Sequence, residues 1–147
     1  MPDTYAIRPL KDADIADVVQ LWIDCGLTRP WNDPRADIVQ ARKSGSAEIL
    51  VAVTAAGKIV GSVMLGDDGH RGWFYYLAVS PALQKSGLGR RIVAQGEDWM
   101  RKRGIEKSQL IIRAGNAKVQ GFYQALGYGV QERVLMARWL DGRKLTP

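Results

Sequence analysis

The residues best placed to do chemistry are Gln84-Lys85-Ser86-Gly87-Leu88-Gly89-Arg90-Arg91. Two glycines one residue apart stand between an uncharged run, Trp73 to Val79, and an amphipathic one that starts at Leu88. A strand leading through a glycine loop into a helix aims several unpaired backbone N–H groups into one small volume, at the positive end of a helix dipole. Glycine lets a bulky anion approach those groups closely, so a phosphate or pyrophosphate is the natural guest. A Walker loop would need a glycine at position 84, which holds Gln84. A dinucleotide fingerprint would need Gly or Ala at position 92, which holds Ile92. A glycine turn with no ligand also fits an isolated G-x-G. The side chains of Lys85 and Arg90 fit anion binding and plain solvation equally well.

Other chemistry is sparse. One histidine, His70, and one cysteine, Cys25, cannot assemble an ordinary zinc site, and a lone cysteine forms no intrachain disulfide. Cys25 falls in an apolar helical pattern and reads as a small core residue. On a turn-rich loop that holds Pro30 and Pro34 lie Arg29 and Trp31, which could present a guanidinium to a carboxylate and an aromatic face to a cation. Trp31 fits equally well as packing against the next helix. Trp22 belongs to an apolar helix face and reads as core.

The elements that must position these residues follow from periodicity. Tyr5 to Arg8 alternates as a short strand ended by Pro9. Asp12 is expected to cap a helix with Ile15, Val18, Val19 and Trp22 on one face, stopped by Gly26. Asp33 and Pro34 are a cap and a first-turn proline, so a second helix should run to Ser44 and close at Gly45. Glu48 to Thr54 and Lys58 to Leu65 form a hairpin through Ala55-Ala56-Gly57. Trp73 to Val79 reads as a strand covered on both faces, followed by a helix through Ile92, Val93, Trp99 and Met100 that stops at Gly104. Ser108 to Arg113 is a strand, Asn116 caps a helix through Val119, Phe122, Tyr123 and Leu126, and Val130 to Trp139 is the last strand. The order is β-α-α-β-β-β-α-β-α-β.

Composition narrows the class. A chain of 147 residues, 46% hydrophobic and 24% charged, suits a single globular domain with a core over about 4–140 and a short polar tail, 141–147. No apolar run approaches the ~20 residues of a membrane span, and no signal peptide precedes the first strand, so a cytoplasmic location is expected. The formal charge of +6 is scattered rather than blocked, which argues against nucleic acid and suits attraction of an anionic cosubstrate.

Taken together, Leu77-Ala78-Val79-x-Pro81, Gln84-x-x-Gly87-x-Gly89, Asn116 and Phe122-Tyr123-x-x-Leu126-Gly127-Tyr128 resemble the GNAT superfamily of N-acetyltransferases over nearly the whole chain. The Gly26-Leu27-Thr28-Arg29-Pro30-Trp31 segment resembles that of a small bacterial subgroup. The resemblance implies an α+β, three-layer fold whose mixed central sheet splays after its fourth strand. It further implies acetyl-CoA as cosubstrate, no metal, and direct transfer to a primary amine of a small molecule or protein, with no membrane partner and a possible homodimer. The backbone of Leu77 and Val79 would pair with the pantetheine, and an N–H near Ala78 or Val79 would polarise the thioester. Gln84, Lys85, Ser86, Gly87, Leu88, Gly89 and Arg90 would hold the pyrophosphate, with Asn116 and Tyr123 also at the cofactor. Tyr123 would be the general acid, although its place in the sequence fits a core aromatic as well. Arg29 and Trp31 would face the acceptor. The fourth strand carries no carboxylate, and among Glu48, Asp67, Asp68 and His70 none is singled out as a base. That gap keeps a catalytically silent acetyl-CoA sensor open as an alternative, and a basic nucleic-acid module more remotely.

Overall fold

The computed structural model describes residues 4–146. They divide into two compact units, one ending at Ile111 and the other beginning at Ile112. The first unit is built on a five-stranded sheet of β1 (Tyr5–Pro9), β2 (Ala47–Thr54), β3 (Ile59–Asp67), β4 (Gly72–Val79) and β5 (Ser108–Gln109), in that spatial order. The first three pairings are antiparallel, with Tyr5 opposite Thr54, Ala47 opposite Gly66 and Asp67 opposite Gly72. β5 is parallel to β4 and meets only Gly72 and Trp73. Beyond Trp73 the two strands part company, as the expected splay requires.

The β2–β3 hairpin closes where expected. Gly57 takes the left-handed conformation (φ 88°), donates its N–H to Thr54, and Thr54 pairs back to Lys58 at 2.9 Å. Strand alternation then sends side chains to opposite faces. Helices α1 (Ile15–Asp24) and α2 (Pro34–Ser44) cover one face, and their Val18, Leu21, Trp22, Ile38 and Ala41 pack with Ile49, Val51, Val53 and Ala78. Full burial of side chains such as Trp22 and Ile38 contributes roughly 1.5–3 kcal/mol each. Helix α3 (Leu88–Lys102) covers the other face, with Leu88, Ile92, Val93 and Met100 buried. It lies so close that a β-carbon at Gly96 would stand 2.5 Å from the Phe74 ring and 2.9 Å from Leu65.

Most helix ends match their sequence signals. The Asp33 carboxylate accepts from the N–H of Arg35 (2.9 Å) with Pro34 in the first turn, and Gly45 leaves α2 at φ 69°. Asp12, the expected cap of α1, is not its cap. The chain enters through a 3-10 turn, Asp12–Asp14, and Asp14 accepts the Lys11 N–H at 2.8 Å while Arg8 grips both its oxygens (2.7 and 3.1 Å). Asp12 points to Arg42 on α2 instead.

The second unit holds α4 (Ala117–Ala125), capped by Asn116 through the N–H of Val119 (3.3 Å) and followed by Gly127 at φ 97°. The strand expected at 130–139 is not formed, and that at 108–113 shrinks to Ser108–Gln109. The described part of the second unit contains no strand against which 130–139 could build a ladder, and β propensity without a partner makes no strand. Val134 and Met136 are correspondingly exposed. Among the described residues no helix is long and apolar enough to cross a membrane.

Candidate functional site

The local sequence of β4 makes an irregular strand. Ser62 lies opposite Ala78 but Met64 opposite Tyr75, so β4 carries one residue more than β3 across this step. The extra residue falls at Tyr76–Leu77, and Tyr76 sits at φ 50°, a conformation that costs a bulky residue of order 1–3 kcal/mol. Both ordinary handles of Tyr76 are held. Its ring stacks on Trp22 (centroids 3.8 Å apart, 7° between planes), and its hydroxyl donates to Asp37 at 2.6 Å. Beyond the bulge, the Ser80 N–H pairs with Val60 on β3 at 2.8 Å. Because main-chain groups alternate sides along a strand, Leu77 and Val79 turn theirs to the opposite edge, where β5 no longer runs. The carbonyl of Val79 accepts from the Cys25 thiol (3.2 Å) and from Gln84 Nε2 (3.3 Å).

That edge leads directly into the glycine loop. After the 3-10 turn Pro81–Leu83, Lys85 (φ 67°) and Gly87 (φ 89°) both take the left-handed conformation, which curls the chain around its own N–H groups. The first bond that closes α3 runs from Arg91 N–H to Gly87 at 3.2 Å. The N–H groups of Gly87, Gly89 and Arg90 therefore precede the helix ladder at its positive end. Leu88 anchors the loop in the core, while Gln84, Lys85, Ser86, Gly87 and Arg90 are exposed. Of the nearby cations, Arg91 is tied to the Tyr5 carbonyl (3.2 Å), Arg101 to Asp98 (3.0 Å) and Arg103 to Asp67 (2.9 Å). Lys85 and Arg90 enter no ion pair among the described residues.

The remaining site residues divide. Arg29 donates to the carbonyls of Gly26 and Thr28, each at 2.8 Å, so its guanidinium closes its own loop. Trp31 is half-buried on the same loop. In the second unit, the side-chain oxygen of Asn116 serves as helix cap. Tyr123, in that unit, is buried and meets Phe122 and Tyr128 edge-on, at 5.0 and 5.6 Å. Burial, and secondarily Tyr128, push its hydroxyl pKa well above the ordinary phenol range, so it stays protonated at neutral pH.

Neither Asp67 nor Asp68, which flank the start of β4, makes a ready base. Asp68 accepts from the N–H groups of Arg71 and His70 and from Trp73 Nε1, and the Arg71 N–H foremost brings it down to about 2. Asp67 is held low by the Gly69 N–H and by Arg103. His70 is exposed. Sequence reasoning missed Tyr76, Ser62 and Asp37, because a bulge leaves no mark in an uncharged apolar run. It also missed a shallow groove of about 450 Å³ lined by Asp67, Asp68, Trp73 and Tyr75.

A family model described as acetyltransferase (GNAT) family matches residues 15–128. An acetyltransferase of Yersinia enterocolitica is 37% identical over 91% of this chain and 94% of its own. One of Pectobacterium atrosepticum is 36% identical with the same coverage. Among solved structures, an aminoglycoside 6'-N-acetyltransferase of Acinetobacter baumannii shares the fold with a TM-score of 0.77 at 18% identity, over 92% of this chain and 98% of that one. An acetyltransferase of Trypanosoma brucei does so with a TM-score of 0.72 at 23% identity, over 92% and 100%. A splayed sheet with an open fourth-strand edge, a glycine loop opening a helix, and this depth of likeness to named acetyltransferases agree, and the chain belongs to the GNAT family of acetyltransferases.

Proposed function

We propose that this acetyltransferase moves an acetyl group from acetyl-CoA directly to a primary amine, without an acyl-enzyme. The observation that carries the reading is the continuity of two backbone features. The unladdered edge of Leu77 and Val79 runs straight into a loop whose N–H groups precede the α3 ladder. An extended amide-bearing chain pairs with such an edge as an added strand would. A pyrophosphate suits the N–H groups of Gly87, Gly89 and Arg90, with Lys85 and Arg90 as unpaired cations beside it. Gly87 fits the cradle, since φ 89° excludes a β-branched side chain and nothing lies within 4 Å of where a β-carbon would be.

In the transfer, an N–H of Leu77 to Val79 polarises the thioester carbonyl, as preorganised donors do at an oxyanion. The neutral amine nitrogen attacks the carbonyl carbon, the C–N bond forms and the C–S bond breaks with its electron pair on sulfur. Tyr123 supplies the proton to that sulfur and regains one from water, in keeping with a phenol that burial keeps protonated. The amine proton leaves to water, since Asp67 and Asp68 are held ionised by strong partners. Arg29 and Trp31, on the loop between α1 and α2, face the acceptor.

The test measures free thiol over time with acetyl-CoA and a panel of primary amines, alongside thermal shift by acetyl-CoA alone. Turnover with at least one amine is expected. So is a rise in Tm that Gly89→Glu abolishes, because a ligand that binds only the folded state stabilises it by mass action. A thermal shift without thiol release would make the chain a sensor. A shift indifferent to Gly89→Glu would move the pyrophosphate elsewhere.

A further inference from the structure

The bulge in β4 is held by more than its own strand. Ser62 is the one hydroxyl in the apolar run of β3 and is fully buried. Its Oγ accepts from Trp22 Nε1 at 2.8 Å and donates to the carbonyl of Tyr76 at 3.1 Å. In a regular strand that carbonyl would join the ladder; here a side chain holds it off the ladder. The same Trp22 stacks on the Tyr76 ring, and Asp37, in the first turn of α2, accepts from the Tyr76 hydroxyl. Carbonyl, ring and hydroxyl of one residue with φ 50° are thus each fixed by a different element: β3, α1 and α2.

Stability alone does not call for this arrangement, because regular pairing would satisfy the Tyr76 carbonyl without a left-handed tyrosine. What the arrangement secures is the half-twist that turns the main-chain groups of Leu77 and Val79 to the open edge. We propose that Trp22, Ser62, Tyr76 and Asp37 are positioning residues for acyl transfer, a clamp that aims the Leu77–Val79 N–H groups at the thioester carbonyl. Within it Asp37 serves as a hydrogen-bond acceptor for Tyr76, and its charge is incidental. The proposal rests on the acetyl-transfer reading above. The Tyr76 phenol, raised in pKa first by burial, keeps its proton for that bond.

The experiment compares Ser62→Ala, Tyr76→Phe, Asp37→Leu and Asp37→Asn with the wild-type protein. It reads acetyl-CoA affinity by calorimetry, kcat and KM for both substrates, and the infrared carbonyl stretch of bound acetyl-CoA labelled with ¹³C at the thioester carbon. In the wild type the stretch should fall below its value in water. Ser62→Ala and Tyr76→Phe should lower kcat by about 10-fold or more and shrink the spectral displacement, with both KM values and acetyl-CoA affinity nearly unchanged. Asp37→Asn keeps an acceptor oxygen and should restore most of what Asp37→Leu loses. Unchanged kcat and unchanged stretch in Ser62→Ala and Tyr76→Phe would reduce the clamp to packing. Equal losses in Asp37→Asn and Asp37→Leu would overturn the acceptor role and give the carboxylate charge a part of its own. Tyr76→Phe removes a single oxygen and keeps the test decisive if Ser62→Ala does not fold. A wild-type protein that binds no acetyl-CoA would instead sink the acetyl-transfer reading itself.

Discussion

A general acid for a thiolate must hold its proton at neutral pH, and a phenol enclosed by two other rings does so at the cost of acid strength. Tyr123 meets that condition, with Phe122 and Tyr128 edge-on against it and burial raising its pKa. Tyr123→Phe should lower kcat by at least ~10-fold and leave acetyl-CoA affinity nearly constant, measured by steady-state kinetics and calorimetry. Equal rates would leave the ring as a core aromatic and nothing more. At this scale the sequence told motif residues well and their partners poorly. Gln84 belongs to the loop it was expected in, yet its amide reaches back to Val79. Arg29 was expected to read a carboxylate, and its Nη1 also binds two carbonyls of its own loop, a tie the sequence does not announce. Tyr76 drew no attention, because only three-dimensional pairing with Ser62, Trp22 and Asp37 gives it a task.

Elements were legible wherever their ends are chemically marked. Asp33 with Pro34 starts α2 and Gly45 ends it, as local hydrogen bonding demands. Asp12 and Asp14 carry the same side chain, and the choice between them was made by Arg8 on β1, a contact that no local pattern contains. The segment 130–139 has the apolar, β-branched composition of a strand, but strand formation is settled by a partner. Gly96 likewise reads as an ordinary weak spot in a helix until its neighbours are seen. Gly96→Ala would gain about 1 kcal/mol of helix propensity, yet its new methyl meets Phe74 at 2.5 Å and Leu65 at 2.9 Å. Overpacking of ~1–3 kcal/mol should outweigh the gain, so Tm should fall by several degrees in calorimetric melts. A rise in Tm would mean α3 can stand off from the sheet at no cost.

At the scale of the molecule, a formal charge of +6 by itself suits a nucleic-acid binder as well as an enzyme with an anionic cosubstrate. Pairing leaves that sum unchanged but spreads it, since Arg8, Arg42, Arg101, Arg103 and Arg143 each sit on a carboxylate. The cations left beside the glycine loop, Lys85 and Arg90, suit a compact anion better than a duplex.

The thiol on the Val79 carbonyl also makes the molecule its own gauge. Cys25 is the chain's single cysteine, half-buried, and burial raises its pKa, so its alkylation at neutral pH should be slow and should follow a single exponential. A chain that lays itself along Leu77 and Val79 must either displace the Cys25 bond or roof it over. Saturating acetyl-CoA should therefore change the rate constant for a neutral maleimide, read by intact-protein mass, by at least about 3-fold in either direction. Acceleration would report a thiol set free, and protection one that has been sealed. An unaltered rate constant, with binding verified in the same sample, would place the ligand away from the Val79 edge.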